Sequence, residues 1–330
     1  MPLTTGSRAI VKERKRLFLA VLACFVVIGW LAYRWATPSF VRPPLPVPNG
    51  YDDLLQVAEM LAPRTGFYDE MHPEELTAVV TQNEPALALA REALTKECMV
   101  PLDWSADAKY MDQAYLDKLQ SLRSLARAFA DQAKQAAEQG DIDLLIQCGI
   151  DNLHLGHAKA NGGLFVDWLT GQAIGSMGVQ ILREQTDQFS FEQCQQVQEA
   201  LKEFEPYLEP PSQALQRERA YYRHTNNRWV AVYTQFLFRA QTQQTELQSI
   251  KTEKEHSFAR DLLRTHVAVR QYLLTEKRLP EKLGDLVPKY LSREPVDPFT
   301  GAELVYQLDN GSYLIYGFAA DCEEKSDSPR

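Results

Sequence analysis

The sequence has little of what usually marks an enzyme or a metalloprotein. Among 330 residues there are 6 histidines and 5 cysteines. It has no CxxC pair, so zinc ribbons and thioredoxin-like redox motifs are excluded. HExxH, GxSxG, Walker A and GxGxxG patterns are also missing. We therefore predict no catalytic residue and no cofactor, and favour a chain that is not an enzyme, while an enzyme stays open as an alternative.

Basic charge is scarce outside the N-terminus. The whole chain carries a net charge of −9. Residues 1–35 contain six basic groups and one acid, a net +5, so residues 36–330 carry −14. Nucleic acids are bound by positively charged surfaces. This distribution therefore predicts that the chain binds no nucleic acid.

One long run without charge, residues 17–33, approaches the roughly 20 residues that span a bilayer. No small-x-small cleavage site follows it, so an uncleaved signal anchor is favoured over a signal peptide. Basic residues are more frequent before the run than after it, which places the N-terminus in the cytoplasm. The sequence thus predicts a cytoplasmic tail over residues 1–16 and a single-pass transmembrane helix over residues 17–34. The chain would sit in the inner (cytoplasmic) membrane, with its bulk on the periplasmic or outer side.

The remainder is expected to be mainly α-helical. Residues 35–50 are rich in proline and predict a stiff linker. Residues 51–250 show helical spacing of apolar residues, which predicts an exported helical bundle or an array of helical hairpins. Gly171, Gly175 and Gly178 are spaced for close approach of a neighbouring helix. Ser190 and Gln193 match a capping box at the start of a further helix.

The C-terminal part changes character. A helix through Phe258 and Tyr272 is followed by two alternating segments around Asn310-Gly311, a strong signal for a tight turn. Residues 251–322 therefore predict a small α+β cap with a β-hairpin, and residues 323–330 a disordered tail.

This ordered set of residues resembles the globular end of the major pseudopilins of type II secretion systems, over residues 260–321. The shared positions are Tyr272, Leu279-Pro280, Leu286-Val287-Pro288, Tyr290-Leu291, Pro295, Asp297-Pro298-Phe299, Gly301, Tyr306 and Tyr313-x-x-Tyr316. These positions follow the order of a helix, a loop and a β-hairpin. Pseudopilins also carry a prepilin-peptidase site, and Lys15-Arg16-Leu17-Phe18-Leu19 replaces it here. The layout of the whole chain is similar to that of uncharacterised membrane-anchored proteins of planctomycete bacteria, which implies architecture and location only.

Two groups of polar residues have spacings that metal sites use. Asp151, His154 and His157 lie three residues apart, so one helix face could offer three ligands, although a polar face beside a loop has the same pattern. Glu253 and His256 have the Glu-x-x-His spacing of di-iron bundles, but one copy is typical of a solvated helix face. We keep the first group as weak metal candidates and assign no metal.

A structural turn is expected around Asp297 and Gly301. Pro298 fixes the backbone, the carboxylate of Asp297 can accept nearby backbone N–H groups, and Phe299 can anchor the loop on the helix. Asn310 and Gly311 form the hairpin turn. Outside residues 17–34 the cysteines are Cys98, Cys148, Cys194 and Cys322, whose spacing selects no disulfide pairing.

Together these features predict a membrane-anchored protein of the cell envelope that acts as an interaction or scaffold module, with the membrane and an unidentified envelope protein as partners. One alternative is an accessory component of a type II secretion or pilus-like system. Another is an envelope enzyme or a metal-binding helical domain.

Overall fold

The computed structural model divides the chain into two compact units, Met1–Pro43 and Pro44–Arg330. The residues that it describes are 18–19, 21–27, 29, 40–63, 71–205, 208–226, 239–309 and 311–317. The second unit is mainly helical with a two-stranded antiparallel sheet. The prediction of a mainly helical chain with a C-terminal hairpin is confirmed.

The predicted membrane anchor is wrong. Within the described part of the chain, no helix is long and apolar enough to cross a membrane. This finding overturns the transmembrane helix, the single-pass signal anchor and the inner-membrane location. The predicted tails, residues 1–16 and 323–330, lie outside the described residues.

Eight α-helices are labelled here along the described part of the second unit. They are α1 (Gly50–Glu59), α2 (Pro73–Leu94), α3 (Gln113–Gln139), α4 (Ile142–Ala160), α5 (Phe165–Glu184), α6 (Phe191–Phe204), α7 (Pro211–Thr225) and α8 (Arg239–Glu276). Short 3₁₀ turns span Thr186–Gln188 and Leu283–Leu286, and the strands are β1 (Val305–Asp309) and β2 (Ser312–Tyr316).

Local sequence explains several helix boundaries. Asn49, Asp112, Asp141 and Ser190 are N-cap residues whose side chains accept hydrogen bonds from backbone N–H groups in the first turn. Ser190 and Gln193 form the predicted capping box at α6. Gly140 ends α3 with a φ of 73°, a left-handed conformation that glycine adopts without steric cost. Chemistry within a few residues therefore fixes these ends.

The helical core has two parts that share α4 and α5. The first joins α1, α2 and α3 through Leu54, Leu87, Leu125 and Phe129, all of which are fully buried. The second joins the end of α3, α4, α5, α6 and α8 around residues such as Ile146, Leu182, Val197 and Val267. Contacts between α4 and α5 are the most extensive in the fold, so this helix pair is its centre.

Helix α8 takes part in two cores. Leu263 and Val267 pack into the helical core, whereas Ala268 and Val269 pack against a C-terminal core. The other buried members of the C-terminal core are Phe258, Tyr272, Leu283, Leu286, Tyr290, Leu304 and Ile315. In the hairpin, Val305 pairs with Tyr316 and Asp309 with Ser312. One helix thus links the hairpin to the bundle.

A buried ion pair joins the end of α4 to the start of α5. Lys159 donates to the carboxylate of Asp167, and these side chains are 1% and 0% exposed. Asp167 also accepts from the backbone N–H of Leu164 at 2.7 Å and from the hydroxyl of Tyr115. The hydroxyl of Tyr51 accepts from Lys159 at 3.2 Å. Charges taken out of water need such partners, so this network fixes how α1, α3, α4 and α5 meet.

Three of the described cysteines lie inside the helical core. Cys98, Cys148 and Cys194 are buried and free. Burial raises the pKa of Cys98 to about 11 and that of Cys148 and Cys194 to about 12. Cys322 lies outside the described residues. The described core is therefore held by packing and polar contacts.

Candidate functional site

A narrow cleft lies where α4, α5 and α8 meet the segment after α6, and we call it the α4–α8 cleft. It spans about 410 Å³ including space open to solvent, and its closed part has room for about one water molecule. Its polar lining residues are His157, Gln172, Ser176, Glu209, His256 and Arg260. The apolar lining comes from Leu153, Ala160, Val179, Phe204 and Leu208, beside three glycines.

The glycines of α4 and α5 give this cleft its floor. A Cβ on Gly171 would lie 2.3 Å from the carbonyl oxygen of Gly156, so the two helix backbones are in direct contact there. Gly178 likewise contacts the backbone of Gly149. A Cβ on Gly175 would meet nothing within 4 Å. Gly171 and Gly178 therefore allow the close helix packing that the sequence predicted. Gly175 borders open space instead.

A contact between α5 and α8 brings Ser176 and His256 together. The hydroxyl oxygen of Ser176 lies 2.5 Å from Nδ1 of His256. Burial, followed by the positive charge of Arg260, lowers the pKa of His256. His256 belongs to the segment that the sequence predicted to be a solvated face, and that prediction is wrong for this residue, which is only partly exposed.

Arg260 supplies the positive charge of the cleft one turn further along α8. Its side chain is partly buried, and burial lowers its pKa. On the opposite wall, Glu209 is paired with Arg217. Burial raises the pKa of Glu209, against the effect of Arg217. Asp261, Glu205 and Glu253 lie near Arg260 and favour its charged form, so nearby acids also balance this charge.

The structure separates the three residues that were weak metal candidates. Asp151 accepts from Nε of Arg91 at 2.6 Å and from Gln147 at 2.8 Å. His154 and His157 both pack against Phe204, at 6.1 and 5.5 Å between ring centroids. Burial, and then His154 nearby, lowers the pKa of His157 to about 4. Among the described residues, no group of three His, Cys, Asp or Glu side chains is arranged to hold a metal ion.

The predicted turn residues lie in the C-terminal part. Oδ1 of Asp297 accepts from the backbone N–H groups of Phe299 at 2.7 Å and Thr300 at 3.3 Å. Pro298 lies between Asp297 and Phe299 in the chain. Gly301 has a φ of 73° and Gly311 one of 88°, both in the left-handed region. Asn310 lies outside the described residues.

A wider groove runs between α3 and α5, and we call it the α3–α5 groove. It encloses about 1050 Å³ of space that is open along one side. Its floor is made of small or apolar residues, namely Ala130, Ala133, Ala137, Leu145, Met177 and Ile181. Exposed Arg127 and Lys134 border it on α3, and Glu184 borders it on α5. The groove is therefore apolar at its base and oppositely charged at its two rims.

No local pattern in the sequence marks either concave feature. Ser176 and His256 are 80 residues apart, and the alanines of α3 look like ordinary helix residues. The glycine spacing in α5 was the available signal, and it pointed to the helix contact beside the cleft. Comparison with protein-family models, with curated proteins and with solved structures found no match to this chain.

Proposed function

We propose that this protein is a helical interaction module and that the α3–α5 groove holds a helix of a partner protein. The observation that carries the proposal is the groove itself, an open depression with an apolar base, two basic residues on the α3 side and one acidic residue on the α5 side. Binding sites for amphipathic helices combine these properties.

The alanine spacing favours a helix over an extended peptide. Ala130, Ala133 and Ala137 are three and four residues apart, so their small side chains form one shallow row along α3. A ridge of side chains on another helix packs into such a row, and small residues let the two backbones approach closely.

The rims define the partner's charge pattern. Arg127 and Lys134 lie almost two turns apart on the α3 rim, where acidic side chains of the partner would face them. Glu184 on the α5 rim would face a basic side chain. We therefore expect an amphipathic helix with an apolar face, acids along one flank and a base along the other. Complementary charge of this kind mainly fixes orientation and association rate.

Photo-crosslinking in cells that make the protein tests this proposal. A photoreactive amino acid placed at Ala137 or at Gln180, both lining the groove, is expected to capture the same partner. The same group at Lys202, which is exposed on α6, is the control and should not capture it.

A charge-reversal variant makes the test specific to the groove. Arg127→Glu with Lys134→Glu should weaken capture several-fold, since each exposed charge pair contributes about 0.2 to 1 kcal/mol. Lys118→Glu with Lys202→Glu changes the net charge equally at exposed positions outside the groove and should leave capture intact. Equal capture by both double variants, or by the probe at Lys202, would reject the groove as the docking site.

An accessory role in a type II secretion or pilus-like system stays a prediction. Its support is the order of α8, a loop and the hairpin, which is the order of the residues that carry the pseudopilin resemblance. Recovery of secretion-system proteins in a native pulldown through the C-terminal part would favour it.

A further inference from the structure

The outer edge of β2 has no strand beside it in the described part of the chain. The sheet there consists of β1 and β2 alone, and among the described helices and strands β1 is the one that makes an extended contact with β2. An unpaired strand edge presents a row of backbone N–H and C=O groups to which another strand can bind.

The hairpin turn decides which backbone groups of β2 point toward this edge. Asp309 pairs with Ser312 across a two-residue loop, and a turn of this length is closed by a hydrogen bond between these two residues. Bonded and non-bonded pairs then alternate along the strands, so Leu314 bonds to β1, whereas Tyr313 and Ile315 do not. The backbone groups of Tyr313 and Ile315 therefore face the open edge.

β2 lacks the features that usually keep an edge strand from pairing. Lysine, proline and bulges serve this purpose in many sheets. The strand Ser312–Tyr316 contains no charged residue and no proline, and its register with β1 is continuous, without a bulge. Leu314 is 56% exposed, on the face opposite to Tyr313 and Ile315, which pack on the C-terminal core. This edge is therefore suited to pairing with another strand.

Two copies of β2 complement each other in an antiparallel arrangement. With Leu314 on the twofold axis, the backbone groups of Tyr313 meet those of Ile315 of the second copy, and the reverse contact is identical. Leu314 then lies against Leu314 of the second copy on the outer face. On the other face, Tyr313 lies opposite Ile315, an aromatic and β-branched pair that stabilises adjacent strands. No like charges oppose each other, because β2 has no charge.

We propose that β2 pairs with β2 of a second copy of this chain, so that the two hairpins form one four-stranded antiparallel sheet. Each chain contributes a strand of five residues, which is a smaller contact than stable interfaces make. The dimer is therefore expected to form at high concentration and to dissociate on dilution. The α3–α5 groove is formed by other residues, so this proposal does not depend on the binding of a partner helix there.

Cysteine crosslinking of the full chain tests the register of this pairing. In a background with Cys24→Ser and Cys322→Ser, Leu314→Cys is expected to give a disulfide-linked dimer on mild oxidation, seen on a non-reducing gel. Residues that face each other in a non-bonded pair have Cα atoms about 4.5 Å apart, a separation that a disulfide can span. Leu308→Cys, which is similarly exposed on β1, is the matched control and should not crosslink.

Sedimentation velocity over a range of concentrations tests the contact without a crosslink. The unaltered chain should show a reversible equilibrium between monomer and dimer. Leu314→Lys should weaken the dimer about tenfold or more, because two like charges would face each other on the axis and the contact of two leucines would be lost. Leu308→Lys changes the net charge equally and should dimerise like the unaltered chain.

The proposal is overturned if the unaltered chain stays monomeric at every concentration, or if Leu314→Cys crosslinks no better than Leu308→Cys. It is also overturned if Leu314→Lys associates as tightly as the unaltered chain, since the copies would then meet through another surface.

Discussion

Lys159 and Asp167 place two opposite charges where almost no solvent reaches, and Asp167 also accepts from the hydroxyl of Tyr115, 52 residues earlier in the chain. A buried pair of this kind gains little net energy over apolar residues, but breaking it leaves one charge uncompensated. The pair therefore fixes the arrangement of α4 and α5. Replacing either residue alone is expected to destabilise the fold.

Asp167→Ala is expected to lower the free energy of unfolding by about 3 to 5 kcal/mol. The reason is that Lys159 would lose its charged partner and Tyr115 would lose its acceptor. Urea unfolding measures the loss. The double variant Lys159→Met, Asp167→Leu should cost less than the single one, because it leaves no buried charge.

The exposed pair of Arg278 and Glu281 is the control for that experiment. Arg278→Met should change the free energy of unfolding by no more than about 0.5 kcal/mol. A loss at Asp167 as small as this would show that Lys159 finds solvent in the folded state.

Burial of histidines makes stability depend on pH. Burial lowers the pKa of His157 and of His266 to about 4, while an unfolded chain gives histidine a pKa of about 6.5. Between these values the unfolded chain binds protons that the folded chain does not, so the free energy of unfolding falls as the pH falls. Each histidine contributes at most about 3 kcal/mol to this fall.

Urea unfolding of His157→Gln and His266→Gln between pH 7 and pH 4 checks this expectation. Each variant should lose less stability on acidification than the unaltered protein does. His72→Gln, at an exposed position, is the matched control. Parallel curves for all four proteins would mean that acid instability comes from other groups.

At the scale of elements, the contact between α4 and α5 depends on where side chains are missing. Gly156 and Gly171 lie backbone to backbone, so neither position has room for a methyl group. Gly175, one turn from Gly171, has that room. Gly171 is therefore needed for close helix packing, whereas Gly175 is not.

Alanine substitutions should separate these cases. Gly171→Ala forces the helices apart and is expected to cost about 1 to 3 kcal/mol. Gly175→Ala meets no neighbour and should stabilise by up to about 1 kcal/mol, because alanine favours the helix. The denaturation midpoints of the two variants test this expectation. Midpoints that shift in the same direction for both variants would contradict it.

Some features of the elements could be predicted from the sequence, and others could not. The capping box of Ser190 and Gln193 and the hairpin turn at Gly311 were predictable because all their contacts lie within a few residues. The contacts of Arg91 with Asp151 and of Ser176 with His256 join helices 60 and 80 residues apart. Their positions follow from helix packing, which periodicity does not encode.

At the scale of the whole molecule, α8 makes the helical core and the C-terminal core depend on each other. Arg270 of α8 donates to the carbonyl of Phe189 at 2.9 Å, and Gln198 of α6 donates to the carbonyl of Tyr290 at 3.3 Å. The hairpin is therefore attached to the bundle through packing and polar contacts together.

Leu286→Ala tests this coupling from the C-terminal side. Leu286 is fully buried among the residues that face α8, and its truncation should cost about 2 to 5 kcal/mol. Native-state hydrogen exchange should then show faster exchange of core amides in α5 as well as in the hairpin. Faster exchange confined to residues 283–316 would show that the C-terminal core opens alone.

The reactivity of the three buried thiols can report local opening of the fold. Cys98, Cys148 and Cys194 lie in the loop after α2, in α4 and in α6, and none can react with an alkylating reagent until its surroundings open. Among the cysteines that the structure describes, Cys24 is the exposed one and is expected to react first. Labelling followed by mass spectrometry would thus time the opening of three separate regions of the unaltered chain, with no introduced probe.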